Sequence, residues 1–357
     1  MSSSQLILVT GATGFIGAHV VDELLRRGYR VRATTRSVAK GDEMRKDRSH
    51  ADVGDRLDFA VVGDLTAPNG FDEAVKDVDG IIHCAAVSTG IITITVSTEL
   101  TLSVQPVAFS FENPEPDVII PAIEGTKAII SAAAKEPKVK RVVITSSFAT
   151  VLTPSRGWDP TWKYTAEQWN PITYDEAKAS HDIDAYRGAK KYSELYAWDY
   201  IRDHKPHFDL ATIIPPMVFG PIVHSLAKIS DLNVSNKEIW NVASGAEYPL
   251  QRVPGWVDVR DLAFAHVEAL VRPEASNRRF LVAAPEKYSY RLAADIIRKE
   301  FDWAKDVTRK GDEGAALPPS YTLDGETAAD VFGFKYRSFK DCIVDAVTQF
   351  REIAERE

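Results

Sequence analysis

Gln5-Leu-Ile-Leu-Val-Thr10 runs straight into Gly11-Ala-Thr-Gly14-Phe-Ile-Gly17, and the reading of this junction decides the fold. The Leu/Ile/Val-rich stretch reads as a buried strand. From Phe15 to Gly28 the pattern turns helical, with Ile16, Val20, Leu24 and Leu25 on one face. A glycine spacing carries little weight alone. Between a strand and a helix it predicts a dinucleotide site, because glycines let the backbone approach a pyrophosphate and the helix N-terminus offers unpaired amides. The competing reading is a tight turn that binds nothing.

Outward from this junction, strands and helices alternate. Tyr29–Thr35, Leu57–Val62, Asp79–Ala86, Lys140–Ser147, Phe208–Ile214 and Arg279–Ala284 read as strands. Ile119–Ala134, Asp182–His204 and Leu262–Val271 read as helices, with another near Phe71 and two or three in the tail. The alternation predicts an α/β fold, a Rossmann-type doubly wound parallel sheet with right-handed crossovers. A smaller C-terminal lobe should cover the strands' C-terminal ends, where such sheets bind ligands. Residues 1–215, with about 252–284, are assigned to the dinucleotide domain, and 216–251 with 285–357 to the substrate lobe.

Composition narrows the function. At 357 residues the chain can bury one large core and a smaller one. A net charge of −8 argues against nucleic acid or an anionic membrane as the partner. Two cysteines, Cys84 and Cys342, are too few for a disulfide framework or a metal cage. The N-terminus lacks the basic, apolar pattern of a signal peptide, and Glu99 interrupts the most apolar run. The expectation is a soluble cytoplasmic protein, monomer or homodimer.

The end of the second strand decides cofactor choice. An acid there would favour NAD, but Arg32, Arg36 and Lys40 stand there instead, a basic cluster suited to the 2′-phosphate of NADPH. A solvated basic patch is the alternative. Asp64, after the third strand, is placed to accept from adenine or to cap the helix near Phe71. His83, on an apolar strand, reads as a core histidine.

Tyr186-Arg-Gly-Ala-Lys190 carries the chemistry. Tyr and Lys four residues apart share a helix face, so the ammonium can favour the phenolate and let the phenol act as a general acid. Ser147, at the end of Thr145-Ser-Ser147, would orient a carbonyl and share its developing negative charge with Tyr186. Ser146 is the competing choice.

The turn, the Thr-Ser-Ser strand end and the Tyr-x-x-x-Lys pair, in this order, resemble the extended short-chain dehydrogenase/reductase family. Arg141–Ser147, Trp169-Asn-Pro171, Ala185–Lys191, Pro215–Pro221, Val257–Asp261 and Phe332–Lys335 further resemble its fungal NADPH-dependent aldehyde and ketone reductases, which include methylglyoxal reductases and are related to plant dihydroflavonol reductases. The resemblance implies NADPH as cofactor, a small carbonyl compound as substrate, and Ser147, Tyr186 and Lys190 as catalytic residues. It implies Gly11, Thr13, Gly14, Phe15 and Ile16 at the pyrophosphate, Arg36 and Lys40 at the 2′-phosphate, and Asp64 and Leu65 at adenine. Ala85, Pro215 and Val218 would line the nicotinamide side, with Tyr186 and Lys190 also touching the cofactor. Phe109, Phe148 and Met217 are candidate substrate-pocket walls. Many family members carry an Asn in the helix before the fifth strand, where Glu124 stands here, so a proton relay through that Asn is not expected.

Two other functions compete. A nucleotide-sugar epimerase or hydroxysteroid dehydrogenase would share the fold, and the epimerase should show a basic or polar nucleotide lobe. A non-catalytic NADP-binding regulator should lack the Tyr-x-x-x-Lys pair. Val87–Gln105 breaks the rhythm around it, being rich in Thr, Ile, Val and Ser with one charge. Removing it joins Ala86 to Pro106, as in the resembling reductases. Val-Ser, Leu-Thr and the final Gln can be encoded by splice-donor, branch-point and acceptor sequences in that order. The segment therefore reads either as a translated intron or as a substrate loop.

Overall fold

A computed structural model describes residues 5–47, 53–85, 111–224 and 226–357. Val87–Gln105 and Phe109 lie outside these residues. The first half comprises β1 (Leu6–Thr10), α1 (Phe15–Arg26), β2 (Arg30–Thr35), α2 (Val38–Asp47), β3 (Leu57–Val61), β4 (Gly80–His83), α3 (Ile120–Lys135) and β5 (Arg141–Thr145). Then come β6 (Lys163–Tyr164), α4 (Tyr174–Ala179), α5 (Ile183–His204), β7 (Asp209–Ile214), β8 (Met217–Phe219), α6 (Val234–Ala243), β9 (Trp256–Asp258) and α7 (Val259–Val271). The chain closes with β10 (Arg278–Leu281), α8 (Tyr290–Glu300), α9 (Ala304–Val307), β11 (Thr322–Leu323), α10 (Glu326–Phe332) and α11 (Phe339–Ala354).

Seven parallel strands form one sheet in the order β10-β7-β5-β4-β1-β2-β3. β1 sits between β2 and β4 and is buried along its whole length, which is why its sequence is continuously apolar rather than alternating. On one face, Val20, Val21 and Leu24 of α1 pack with Leu262, Ala265 and Leu270 of α7 against the sheet. On the other, Ile129, Ile130 and Ala133 of α3 and Ala197 of α5 do the same. A second core gathers Phe219, Ile239, Trp256, Ile297, Phe339 and Ile343, drawn from β8, β9, α6, α8 and α11.

Several details depart from the sequence reading, α2, α4 and α6 among them. The stretch around Phe71 forms successive turns, not a helix, although Phe71 itself is buried. Four helices follow β10, not two or three. The short parallel pairs β6–β11 and β8–β9 were not foreseen, since two or three residues show no periodicity.

Candidate active site

The chain reverses its direction of winding between β1 and β4, and ligands of doubly wound sheets bind in the crevice at such a point. Gly11 leaves β1 with φ +66°, and a Cβ there would stand 2.7 Å from the Ala85 amide nitrogen, beyond the end of β4. A Cβ on Gly17 would stand 2.2 Å from the Gly11 carbonyl oxygen. Only glycine allows this turn to fold back on itself and to press against the β4 end. Gly14 is the N-cap of α1 and makes no side-chain cap bond, and the first turn carries no acid. The helix N-terminus is thus left to attract an anion.

A cavity of about 450 Å³ opens here. It is lined by Gly11, Gly14, Phe15 and Ile16, by Ser147 and Tyr186, and by residues of α6 and the 252–253 loop. Phe148, Met217 and Val218 form apolar wall. A second cavity of about 450 Å³ shares Gly14, Phe15 and Asn233 with the first and extends to Thr13 and Lys40. The two cavities thus adjoin at the glycine turn, one lined by Ser147 and Tyr186 and the other reaching Lys40.

The two serines at the β5 end have different surroundings. Ser146 is buried and its Oγ donates to Glu194 of α5. Ser147 lies on the cavity, where its Oγ accepts from the Ala149 amide at 3.2 Å. Tyr186 is half-buried in the same wall. Lys190, one turn along α5, is outside the cavity lining, and its charge acts on His83. Burial first, then Lys190, lowers the His83 pKa to about 3, so this ring is neutral and serves as a core group paired with Thr10 Oγ1 at 2.7 Å. Cys84 borders the cavity, but burial pushes its thiol up to about 12.

The remaining predicted residues are less closely gathered. Arg36 is exposed at the end of β2, and Lys40 pairs with Glu43 at 2.7 Å. Arg32 does not join them: it pairs with Asp58 at 3.2 Å and donates to the carbonyls of Ala74 and Lys76. Those partners draw its guanidinium toward β3 and the turn before β4, so the basic cluster loses a member. Asp64 accepts from the amide and hydroxyl of Thr66, which hold its carboxyl below the ordinary value, and it caps no helix. Leu65 packs beside the core. Pro215 gives its carbonyl to the Phe148 amide at 2.8 Å, while its neighbour Pro216 lines the cavity.

The part of the lining from α6 and the 252–253 loop had no motif to announce it. Glu238 is 2% exposed, accepts from Arg252 at 2.9 Å and from the Tyr290 hydroxyl, and faces the cavity with Arg252. Glu238 sits among Ser235, Asn236 and Lys237 on α6, so nothing in the local sequence marks it.

Comparison with known proteins agrees with this geometry. Residues 7–102 match the model of the NAD dependent epimerase/dehydratase family. A ketoreductase of Aspergillus niger is 34% identical over 99% of this chain and 99% of its own. The chain belongs to the extended short-chain dehydrogenase/reductase family. An NADPH-dependent methylglyoxal reductase of Saccharomyces cerevisiae is 28% identical over 96% of this chain and 97% of its own. The solved yeast methylglyoxal/isovaleraldehyde reductase complexed with NADPH is 28% identical, with a TM-score of 0.83 over 99% of this chain and 100% of that one.

Proposed function

We propose that this chain reduces an aldehyde or ketone to the alcohol with NADPH, using Tyr186 as the general acid. The observation that carries this reading is that Ser147 and Tyr186 line one cavity with the glycine turn of β1 and α1. NADPH, when bound, supplies the hydride that adds to the carbonyl carbon. Its pyrophosphate fits the uncapped N-terminus at Gly14, Phe15 and Ile16, with Gly11 and Thr13 beside it. Arg36 and Lys40 would hold the 2′-phosphate, Asp64 and Leu65 the adenine, and Ala85, Pro215 and Val218 would flank the nicotinamide.

Ser147 Oγ donates a hydrogen bond to the carbonyl oxygen and holds it toward Tyr186. The Tyr186 hydroxyl gives its proton to that oxygen as negative charge develops there. Lys190 stabilises the phenolate left behind and, with NADPH bound, would hydrogen-bond its ribose. Phe148, Met217 and Val218 offer apolar surface to the substrate's carbon skeleton, which favours compact aldehydes, ketones or keto esters over sugar nucleotides.

The test is NADPH oxidation by the purified protein with a panel of small aldehydes, ketones and keto esters. Turnover on several of them is expected. Tight NADPH binding without turnover on any would favour a regulator instead.

A further inference from the structure

We infer that the buried Glu194–Arg279 pair is a positioning device for the reaction, fixing Ser147 at the β5 end against Tyr186 and Lys190 on α5. The inference rests on the roles proposed above for those three residues. Glu194 follows Tyr186 and Lys190 at four-residue steps, so all three share one face of α5. Two turns, roughly 12 Å of helix, separate Glu194 from Tyr186, so it acts through the framework and not on the substrate.

Its contacts converge on the catalytic strand end. Glu194 Oε2 accepts from Ser146 Oγ, the residue immediately before Ser147. Oε1 accepts from Thr212 Oγ1 of β7 and from Arg279 Nε of β10, each at 2.8 Å. Arg279 Nη2 donates to Thr150 Oγ1 at 3.2 Å, and that hydroxyl donates to the Ser147 carbonyl at 2.9 Å. Ser147 is therefore held from both sides by one pair. Arg279 also donates to the carbonyls of Ala166 and Gln168 and lies 3.6 Å from the Trp169 ring centroid, tying in the loop beside the site. Burial pushes the Glu194 carboxyl up, but the Arg279 charge and these hydrogen bonds outweigh it and keep the group ionised. A buried ion pair adds little net stability over apolar side chains of the same size. What this one supplies is geometry, since three strands and one helix meet at it.

Glu194→Gln keeps the shape and removes the charge. Thr150→Val cuts the Arg279-to-Ser147 link without disturbing the ion pair. Turnover is counted per NADPH-binding site, so a loss of folded protein lowers the number of sites and not the rate at each. We expect kcat per site to fall about tenfold in Glu194→Gln, and less in Thr150→Val, while the Kd for NADPH stays within about twofold. The isotope effect with C4-deuterated NADPH should be no smaller than in the parent, because misorientation slows the chemical step. Unchanged kcat per site in both variants would overturn the inference. Tyr186→Phe in the same assay separates the two readings. If it retains turnover, the proposed catalytic roles fail. If it collapses while the other two variants stay normal, only the positioning role fails.

Discussion

Replacing Tyr186 by Phe keeps the ring that helps wall the cavity and removes the proton the reaction needs. Turnover should fall by about 10²–10⁴, the usual size of a general acid's contribution, with NADPH binding intact. Stopped-flow reduction and a cofactor titration check both halves. Ser146 and Ser147 make a second contrast at this scale. Ser146 is engaged by Glu194 in the interior while Ser147 borders the cavity, so Ser147→Ala should cost much more kcat than Ser146→Ala. For the cofactor, Arg36→Ala should weaken NADPH by about tenfold while leaving NADH nearly unchanged, the loss of one charge-assisted contact. Equal losses for the two cofactors would remove Arg36 from the 2′-phosphate.

At the scale of elements, the β1–α1 turn works because two backbone segments come closer than any side chain permits. Gly17→Ala places a methyl 2.2 Å from the Gly11 carbonyl oxygen, which is backbone and cannot swing aside. A loss of about 1–3 kcal/mol of stability is expected, read by urea unfolding, together with weaker NADPH binding. A deletion variant lacking Val87–Gln105 should fold at least as well as the parent and reduce carbonyls at least as fast. Sequencing of the mature transcript gives the origin directly. A message that retains these codons, with activity lost on deletion, would contradict the intron reading.

At the scale of the whole molecule, stability should depend on pH through its buried histidines. Burial lowers the pKa of His19 and of His266 to about 4, and burial with the Lys190 charge lowers that of His83 to about 3. The unfolded chain protonates these rings near 6.5, so below that pH it binds more protons than the folded one. Stability is then lost as pH falls from 6.5 toward 4, by up to about 1.4 kcal/mol per pH unit for each histidine. Urea midpoints measured from pH 7 to pH 5 should fall steadily. A flat profile would mean that these rings are protonated in the folded state.

The strand-turn-helix at Gln5–Gly28 and the Tyr186–Lys190 spacing could be read directly because their physics is local: burial period, glycine-only geometry and the four-residue helical repeat. The alternation of strands and helices likewise specified the sheet, since parallel strands need crossovers between them. Other features came only with the tertiary structure. Arg32 and Arg36 look equivalent in the chain, yet Asp58 and two carbonyls claim one and leave the other exposed. Ser146 and Ser147 are adjacent and chemically identical, and the placement of Glu194, 48 residues from Ser146, separates them. Arg252 and Glu238 face the cavity through the packing of the second core, which leaves no short-range pattern. Successive residues of a strand point to opposite faces, so which of two neighbours meets the cavity is decided by whatever packs across from them.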